Sequence, residues 1–229
     1  MNQHEDLVRD VPLLARLSEA DRRALASHGH VRSYQAGAVI FREGDPGDSL
    51  HIVIEGSIRI AVLSPEGEEA AVALLGPGEC FGDLALLDGR PRSASAIASQ
   101  ATRTLVVTRD VFMRWLSERP QAALALLETL SLRVRRTDEV LADFAFLDLP
   151  QRLAKRLLNL ADTHPELRME ERHPGALCLR ITQGELASML GVSRESVNKQ
   201  LNLFAREGWI ALGRGSITIT DPNALRTFA

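Results

Sequence analysis

Two groups of side chains in this sequence have the types and spacing to do chemistry. Near the C-terminus, Arg194, Glu195, Asn198, Lys199 and Asn202 fall on one face of a helical pattern, with Arg194/Asn198 and Glu195/Lys199 each one turn apart. These are residue types that meet base edges in a major groove: Arg or Lys on guanine, Asn on adenine, Glu on the cytosine amino group. The alternative is a solvated helical hairpin whose charges pair along that face. In the first half of the chain, Gly82 to Ala94 reads GDLALLDGRPRSA. Gly82 and Asp83 open a short helical turn whose free amides favour an anion, and Arg92 and Ser93 can add a charged fork and a hydroxyl. Here the alternative is a structural salt bridge from Arg92 to Asp83 or Asp88.

The elements that must position the first group are legible. Gln183 to Glu207 reads as two short helices joined by a tight turn at Gly191, Val192 and Ser193. Thr182 with Glu185 forms a capping box for the first helix, and Ser193 caps the second. Ala187, Gly191 and Val197 sit where a helix-turn-helix needs a small crossing residue, a turn glycine and a buried branched side chain. Leu186, Leu190, Val197, Leu201 and Phe204 supply the locking apolar face. Thr182, Gln183, Ser193 and Ser196, at the two helix starts, join Arg194, Glu195, Asn198 and Lys199 as candidate DNA contacts. GWIALGRGSITITD follows, two β-patterned runs around Gly213-Arg214-Gly215 that predict a hairpin wing.

The second group lies among strands. Ser18 with Asp21 predicts a short helix ending at Gly29. From Val31 to Thr108 short apolar runs (VRSY, AVIF, SLHIVIEG, SIRIAVL, AAVALL, SASAIA, RTLVVT) alternate with turn signals such as Gly44-Asp45-Pro46-Gly47 and Pro65-Glu66-Gly67. This pattern predicts an antiparallel jelly roll or barrel, with Gly56 in a tight turn. Asp110 starts a helix ended by Pro120, and Gln121 to Asp143 is helical without Gly or Pro. Along it Ala123, Leu127, Leu130, Val134, Thr137, Leu141 and Phe144 alternate four and three apart, a seam for a second helix. Either a partner chain or an intramolecular face can cover it; pairing of two half-sites about 34 Å apart on DNA favours a homodimer. Phe144 to Pro150 is the expected hinge, followed by a helix, QRLAKRLLNLAD.

Bulk properties bound the function. The 229 residues suffice for two cores, and no apolar run nears the roughly 20 residues needed to span a bilayer. The polar N-terminus is unlike a secretory signal. Only Cys80 and Cys178 occur, in no ligand-like cluster, which suits a reducing cytoplasm and argues against a zinc or iron–sulfur site. Cys80 reads as a small core residue, and His28 and His30 as surface residues at a helix end. Residues 150–229 carry 11 Lys/Arg against 8 Asp/Glu, whereas residues 1–149 carry 16 against 22, so positive charge concentrates in the reading half. No G-x-S-x-G, H-E-x-x-H or P-loop is present, so an enzyme is not expected.

In combination, FGDLALLDGRPRSA, the seam helix, FAFLDLPQRLA and SRESVNKQL resemble the cyclic AMP receptor (CRP/FNR) family of bacterial transcription regulators, from about Leu13 to Leu225. The resemblance implies an α+β fold: a cyclic-nucleotide-binding β-roll over 1–119, a dimerisation helix over 120–144 and a winged helix-turn-helix over 145–229. It implies double-stranded DNA and RNA polymerase as partners, the latter through the loop around Thr163 to Gly175, no membrane, and no covalently bound cofactor. It places the ribose on Gly82 and Asp83, the cyclic phosphate on Arg92 and Ser93, and the purine near Thr137, with Asp138 next to it; Leu84 completes the effector set. It puts the base contacts on Arg194, Glu195 and Lys199 and implies a site related to TGTGA-N6-TCACA. Three positions depart from the family pattern. Asp83 replaces the usual Glu and is ~1.5 Å shorter, Asp138 brings a charge toward the base, and Lys199 lacks the fork of Arg. The effector is therefore left open among cyclic AMP, another nucleotide such as cyclic di-GMP, and none, in a constitutive regulator with a degenerate pocket.

Overall fold

A computed structural model describes residues 18–65, 69–169 and 177–229. Glu66 and Gly67 of the expected Pro65-Glu66-Gly67 turn, and residues 170–175 of the loop expected to face polymerase, therefore fall outside the described residues. The chain divides into two compact units, 1–62 with 72–136, and 63–71 with 137–229.

The first unit opens with helix α1 (Glu19–Ser27), where the Ser18 hydroxyl accepts the Asp21 amide as the capping signal predicts. Eight strands follow: β1 (His30–Tyr34), β2 (Val39–Phe41), β3 (Ser49–Glu55), β4 (Ile58–Leu63), β5 (Glu69–Leu75), β6 (Cys80–Phe81), β7 (Ser95–Ala98) and β8 (Thr102–Thr108), with helix α2 (Asp83–Asp88) between β6 and β7. They form two four-stranded sheets, ordered β1-β8-β3-β6 and β2-β7-β4-β5, and each pairing whose register is resolved is antiparallel. The β-roll of the sequence reading is present, with β6 added. Gly56 makes the β3–β4 turn with φ 86°.

Strand alternation separates two cores. On β3 and β8, Leu50, Ile52, Leu105 and Val107 point one way, against Leu25, Leu86, Phe112, Trp115, Ala122, Ala125 and Leu126 of the helices. One residue along β3, Val53 faces the other way, meeting Ile58, Phe81, Ala96 and Ala98.

Helix α3 (Arg109–Ser117) leads to the long helix α4 (Pro120–Phe146). Two sequence expectations are corrected here. Pro120 does not end α3, which stops at Ser117; it opens α4, where its missing amide costs nothing. The hinge is also shorter than Phe144 to Pro150, because Phe144, Ala145 and Phe146 remain helical and Asp148 caps helix α5 (Leu149–Thr163) through a capping box with Gln151. Only Leu147 and Asp148 are left between the helices.

In α4, Ala122, Ala125 and Leu126 are buried, and Leu130 packs partly beside them. The seam is a different face. Leu127 and Leu141 are 59% and 68% exposed, and Leu124, Leu132, Val134 and Val140 are exposed too. The intramolecular alternative accounts for Leu130 and leaves the rest of the apolar stripe open to water, which soluble surfaces rarely tolerate without a partner.

The second unit continues through β9 (Leu177–Leu179), α6 (Gln183–Leu190), α7 (Arg194–Arg206), β10 (Ile210–Gly213), β11 (Ser216–Ile219) and α8 (Pro222–Phe228). The expected wing, β10–β11, turns at Arg214-Gly215 with φ 73° at Gly215, and gains β9 as a third strand. Rings of Phe204, Trp209 and Phe228, 5.2–5.7 Å apart, tie α7, the wing and α8 together. Among the described residues no helix is long and apolar enough to cross a membrane.

Candidate effector pocket and DNA-reading face

The pocket candidate is built on β6, α2 and the loop before β7. Gly82 caps α2 with φ 83°, a conformation that disfavours any side chain, and a Cβ there would collide with Arg92 Nη1 and the Ser49 carbonyl. The close approach exists because Arg92 Nη1 donates to the Gly82 carbonyl at 2.8 Å. Its Nη2 donates to the Ser49 carbonyl at 2.8 Å and to Ser49 Oγ at 3.2 Å. The guanidinium lies 4.1 Å from the centre of the Phe41 ring, and Arg92 is only 4% exposed. Its backbone is held as well, its amide donating to the Asp45 carbonyl and its carbonyl accepting from the Gly44 amide.

Neither partner proposed for Arg92 by the salt-bridge alternative is used. The nearest carboxylate is that of exposed Asp48, at 3.7 Å, too far for a hydrogen bond. Burial pulls the Arg92 pKa down, with Asp48, Asp45 and Asp83 opposing. Its Nε–H is buried and has no hydrogen-bond partner among the described residues. A buried cation bonded to neutral carbonyls, with a donor to spare, favours an incoming anion.

Asp83, 1% exposed, accepts instead from Arg133 of α4: Nη1 lies 2.9 Å from both carboxylate oxygens, and Nη2 donates to the Cys80 carbonyl. Burial lowers the Arg133 pKa, but Cys80 and Asp83 outweigh it and the net shift is upward. Cys80 is buried, as expected of a small core residue, and its burial pushes the thiol up to about 12. Sequence reasoning missed Arg133; the usable signal was its place four residues before Thr137, on the same helix face. It also missed Phe41, Ser49 and His51. His51 stacks on Phe81 at 4.9 Å, and its ring nitrogens lie 3.3 Å from Ser49 Oγ and 3.4 Å from Thr104 Oγ1. Burial, then the Arg92 charge, pull its pKa down to about 3, so the ring is neutral beside the arginine.

The remaining expected pocket residues are more open. Leu84 and Ser93 are exposed, as are Thr137 and Asp138, one turn beyond Arg133 along α4. Among the described residues no group of three or more His, Cys, Asp or Glu side chains is placed to hold a metal.

The reading face follows the sequence closely. Thr182 Oγ1 accepts the Glu185 amide at 3.1 Å, while the Glu185 carboxylate accepts the Thr182 amide at 2.7 Å. Gly191 ends α6 with φ 62°, and Ser193 Oγ accepts the Ser196 amide to start α7. Leu186, Ala187, Leu190, Val197, Leu201 and Phe204 are all buried between the helices and the rest of the unit. Thr182, Ser193, Arg194, Glu195, Asn198 and Lys199 are exposed, while Gln183 and Ser196 are half-buried. The side chains of Arg194, Glu195 and Lys199 enter no ion pair or hydrogen bond among the described residues, so the outer face is not the self-paired hairpin of the alternative. The cations Arg194 and Lys199, left unpaired on an exposed helix, are available to a polyanion.

Comparison with known proteins identifies the two domains that carry most of these candidate residues. Residues 31–119 match the family model of the cyclic nucleotide-binding domain, and residues 151–228 that of the Crp-like helix-turn-helix domain. A CRP-like cAMP-activated global transcriptional regulator of Mycobacterium tuberculosis is 40% identical over 194 residues, 84% of each chain. The chain belongs to the CRP/FNR family of transcription regulators. A CRP/FNR-family regulator from Thermus thermophilus superposes with a TM-score of 0.75 at 32% identity, covering 87% of this chain and 98% of its own. The c-di-GMP responsive regulator CLP of Xanthomonas campestris shares the fold, with a TM-score of 0.78 at 24% identity and coverage of 88% and 99%. The CRP/FNR relatives are regulators and not enzymes, and this chain is a transcription regulator with a cyclic-nucleotide-binding domain and a DNA-binding helix-turn-helix.

Proposed function

We propose that this regulator works as a cytoplasmic homodimer, joined along the exposed seam of α4, that binds a two-fold symmetric DNA site when a cyclic nucleotide occupies the β-roll. The observation that carries the effector reading is Arg92: a buried guanidinium without a carboxylate in hydrogen-bonding contact and with an unused Nε–H. The phosphate falls to Arg92 and Ser93 and the ribose to Gly82 and Asp83. Leu84, Thr137 and Asp138 complete the proposed effector set. Cyclic AMP is the effector favoured, in keeping with the cAMP-activated relative. The three regions are 1–119, 120–144 and 145–229, with the hinge narrowed to Leu147 and Asp148. Thr182, Gln183, Ser193, Arg194, Glu195, Ser196, Asn198 and Lys199 form the DNA face, on a site related to TGTGA-N6-TCACA. Polymerase contact through the 163–175 loop belongs to the same proposal.

The ligand acts by population shift, and its differential affinity sets the limit: about 5.5 kcal/mol moves an equilibrium from 1:99 to 99:1. Titration calorimetry with cyclic AMP and cyclic di-GMP, together with operator binding with and without each, tests the proposal. Tighter DNA binding with cyclic AMP supports it; unchanged DNA affinity at millimolar nucleotide sinks the cyclic AMP reading. A second reading, a constitutive regulator, is favoured by one observation: the Asp83 carboxylate is already held by Arg133 and almost wholly buried. It requires full operator affinity without any nucleotide.

A further inference from the structure

Residue type alone suggests that Asn198 reads adenine. A bidentate contact to adenine needs the Asn oxygen to accept from N6 while the Asn nitrogen donates to N7. The hydrogen bonds around Asn198 remove the first half of that contact.

Asn202, one turn further along α7, has a side-chain atom 2.8 Å from the main-chain carbonyl oxygen of Asn198. A carbonyl oxygen only accepts, so that atom is the amide nitrogen, Nδ2. The same nitrogen lies 2.9 Å from a side-chain atom of Asn198, which must then be its acceptor, Oδ1. Gln183, the first residue of α6, places its Nε2 3.1 Å from that Oδ1. The orientation of all three amides thus follows from one carbonyl. Oδ1 has two lone pairs and two donors on them, so it has little left for a base. The Asn198 Nδ2 keeps its two N–H groups, and the residue is exposed on the face that carries Arg194 and Lys199.

We propose that Asn198 is a specificity-determining residue that reads DNA as a donor only, selecting a keto base, guanine (O6 and N7) or thymine (O4), with Gln183 and Asn202 enforcing the choice. Adenine still offers N7 to one N–H, but it presents the N6 amino group where guanine has O6, and cytosine presents N4, so those hydrogens would face the remaining Asn198 N–H. Gln183 thereby acts as a positioning residue from the neighbouring helix. The inference rests on the reading that α7 enters the major groove.

Site selection from a randomised duplex pool by the full-length chain, with and without cyclic AMP, tests it. In the wild type, the base position whose preference disappears in Asn198→Ala should hold guanine or thymine. In the double variant Gln183→Ala/Asn202→Ala, Oδ1 is released, and adenine at that position should gain about tenfold relative to the keto base, ~1.4 kcal/mol. Should that variant fail to fold, Asn198→Asp keeps acceptors for Gln183 and Asn202 but turns an oxygen outward, and should reverse the preference to adenine or cytosine. Adenine or cytosine selected by the wild type overturns the inference, as does uniform weakening in Asn198→Ala, an unchanged profile in the double variant, or retention of guanine or thymine in Asn198→Asp. Enrichment of no sequence by the folded wild type in either condition overturns the DNA-reading proposal itself, a distinct outcome.

Discussion

Arg92 and Arg194 are the same residue type used in opposite ways. Arg92 is buried, bonded through both terminal nitrogens to main-chain carbonyls and covered by the Phe41 ring. Arg194 is exposed, and no partner among the described residues holds its side chain. The first is prepaid for an anion: its desolvation and rotamer entropy are met by the fold, so a small ligand gains most of the interaction. The second stays hydrated, as suits a surface that must meet a long polyanion, slide along it and release it. In the proposed pocket, selectivity would come from a fixed charge in a small space. On the proposed reading helix it would come from which hydrogen-bond groups remain uncommitted, as at Asn198.

The contrast breaks most forcefully at Arg133. Arg133→Ala leaves the buried Asp83 carboxylate without its cation, and breaking such a pair should destabilise the first unit by roughly 3 kcal/mol, at the lower end for buried pairs because Arg133 is 32% exposed. A lower denaturant midpoint reports it, and Asp83→Asn in the same chain should restore most of the loss. Next in size is Arg92→Ala, which should weaken cyclic nucleotide binding 10- to 100-fold, ~1.4–2.8 kcal/mol, and abolish the nucleotide's effect on DNA affinity. Calorimetry and an electrophoretic shift read the two effects separately. On the exposed side, Arg194→Ala should cost ~1–3 kcal/mol of discrimination at one guanine while leaving the melting temperature nearly unchanged. Unchanged discrimination in that variant would remove Arg194 from the reading face.

The smallest expected effect is a pH slope. His51 has its pKa lowered from 6.5 to about 3 by burial, so between those values the unfolded chain binds a proton that the folded chain refuses. Stability should therefore fall as pH drops below about 6.5 toward 3, at up to ~1.4 kcal/mol per pH unit from this group. His51→Gln should flatten that slope by one proton in acid-unfolding titrations; an unaltered slope would mean that His51 charges in place.

Much of both regions is legible in the sequence. The capping box at Thr182 and Glu185, the αL glycine at Gly191 and the serine cap at Ser193 are local devices, so their residue types and spacing fully specify them. The long strands β3 and β8 announce themselves as apolar runs bounded by turn signals. Strands β6 and β9, of two and three residues, were missed because they are too short to show a period and exist only by pairing with β3 and β11. The hinge was drawn too long because Phe144 to Phe146 can end a helix or continue it, and only the Asp148 cap decides where the next one starts.

From its sequence alone this chain declares a β-roll followed by a winged reader, and which side chains belong to each, because period, caps and turn glycines act within a few residues of themselves. Tertiary structure alone decided what those side chains are committed to. Arg133 reaches Asp83 across 50 positions, Ser49 receives Arg92 across 43, and Gln183 meets Asn198 across 15. Hydrogen-bonding capacity is finite and is divided among whichever groups folding brings within about 3 Å, and no pattern along the chain records that division.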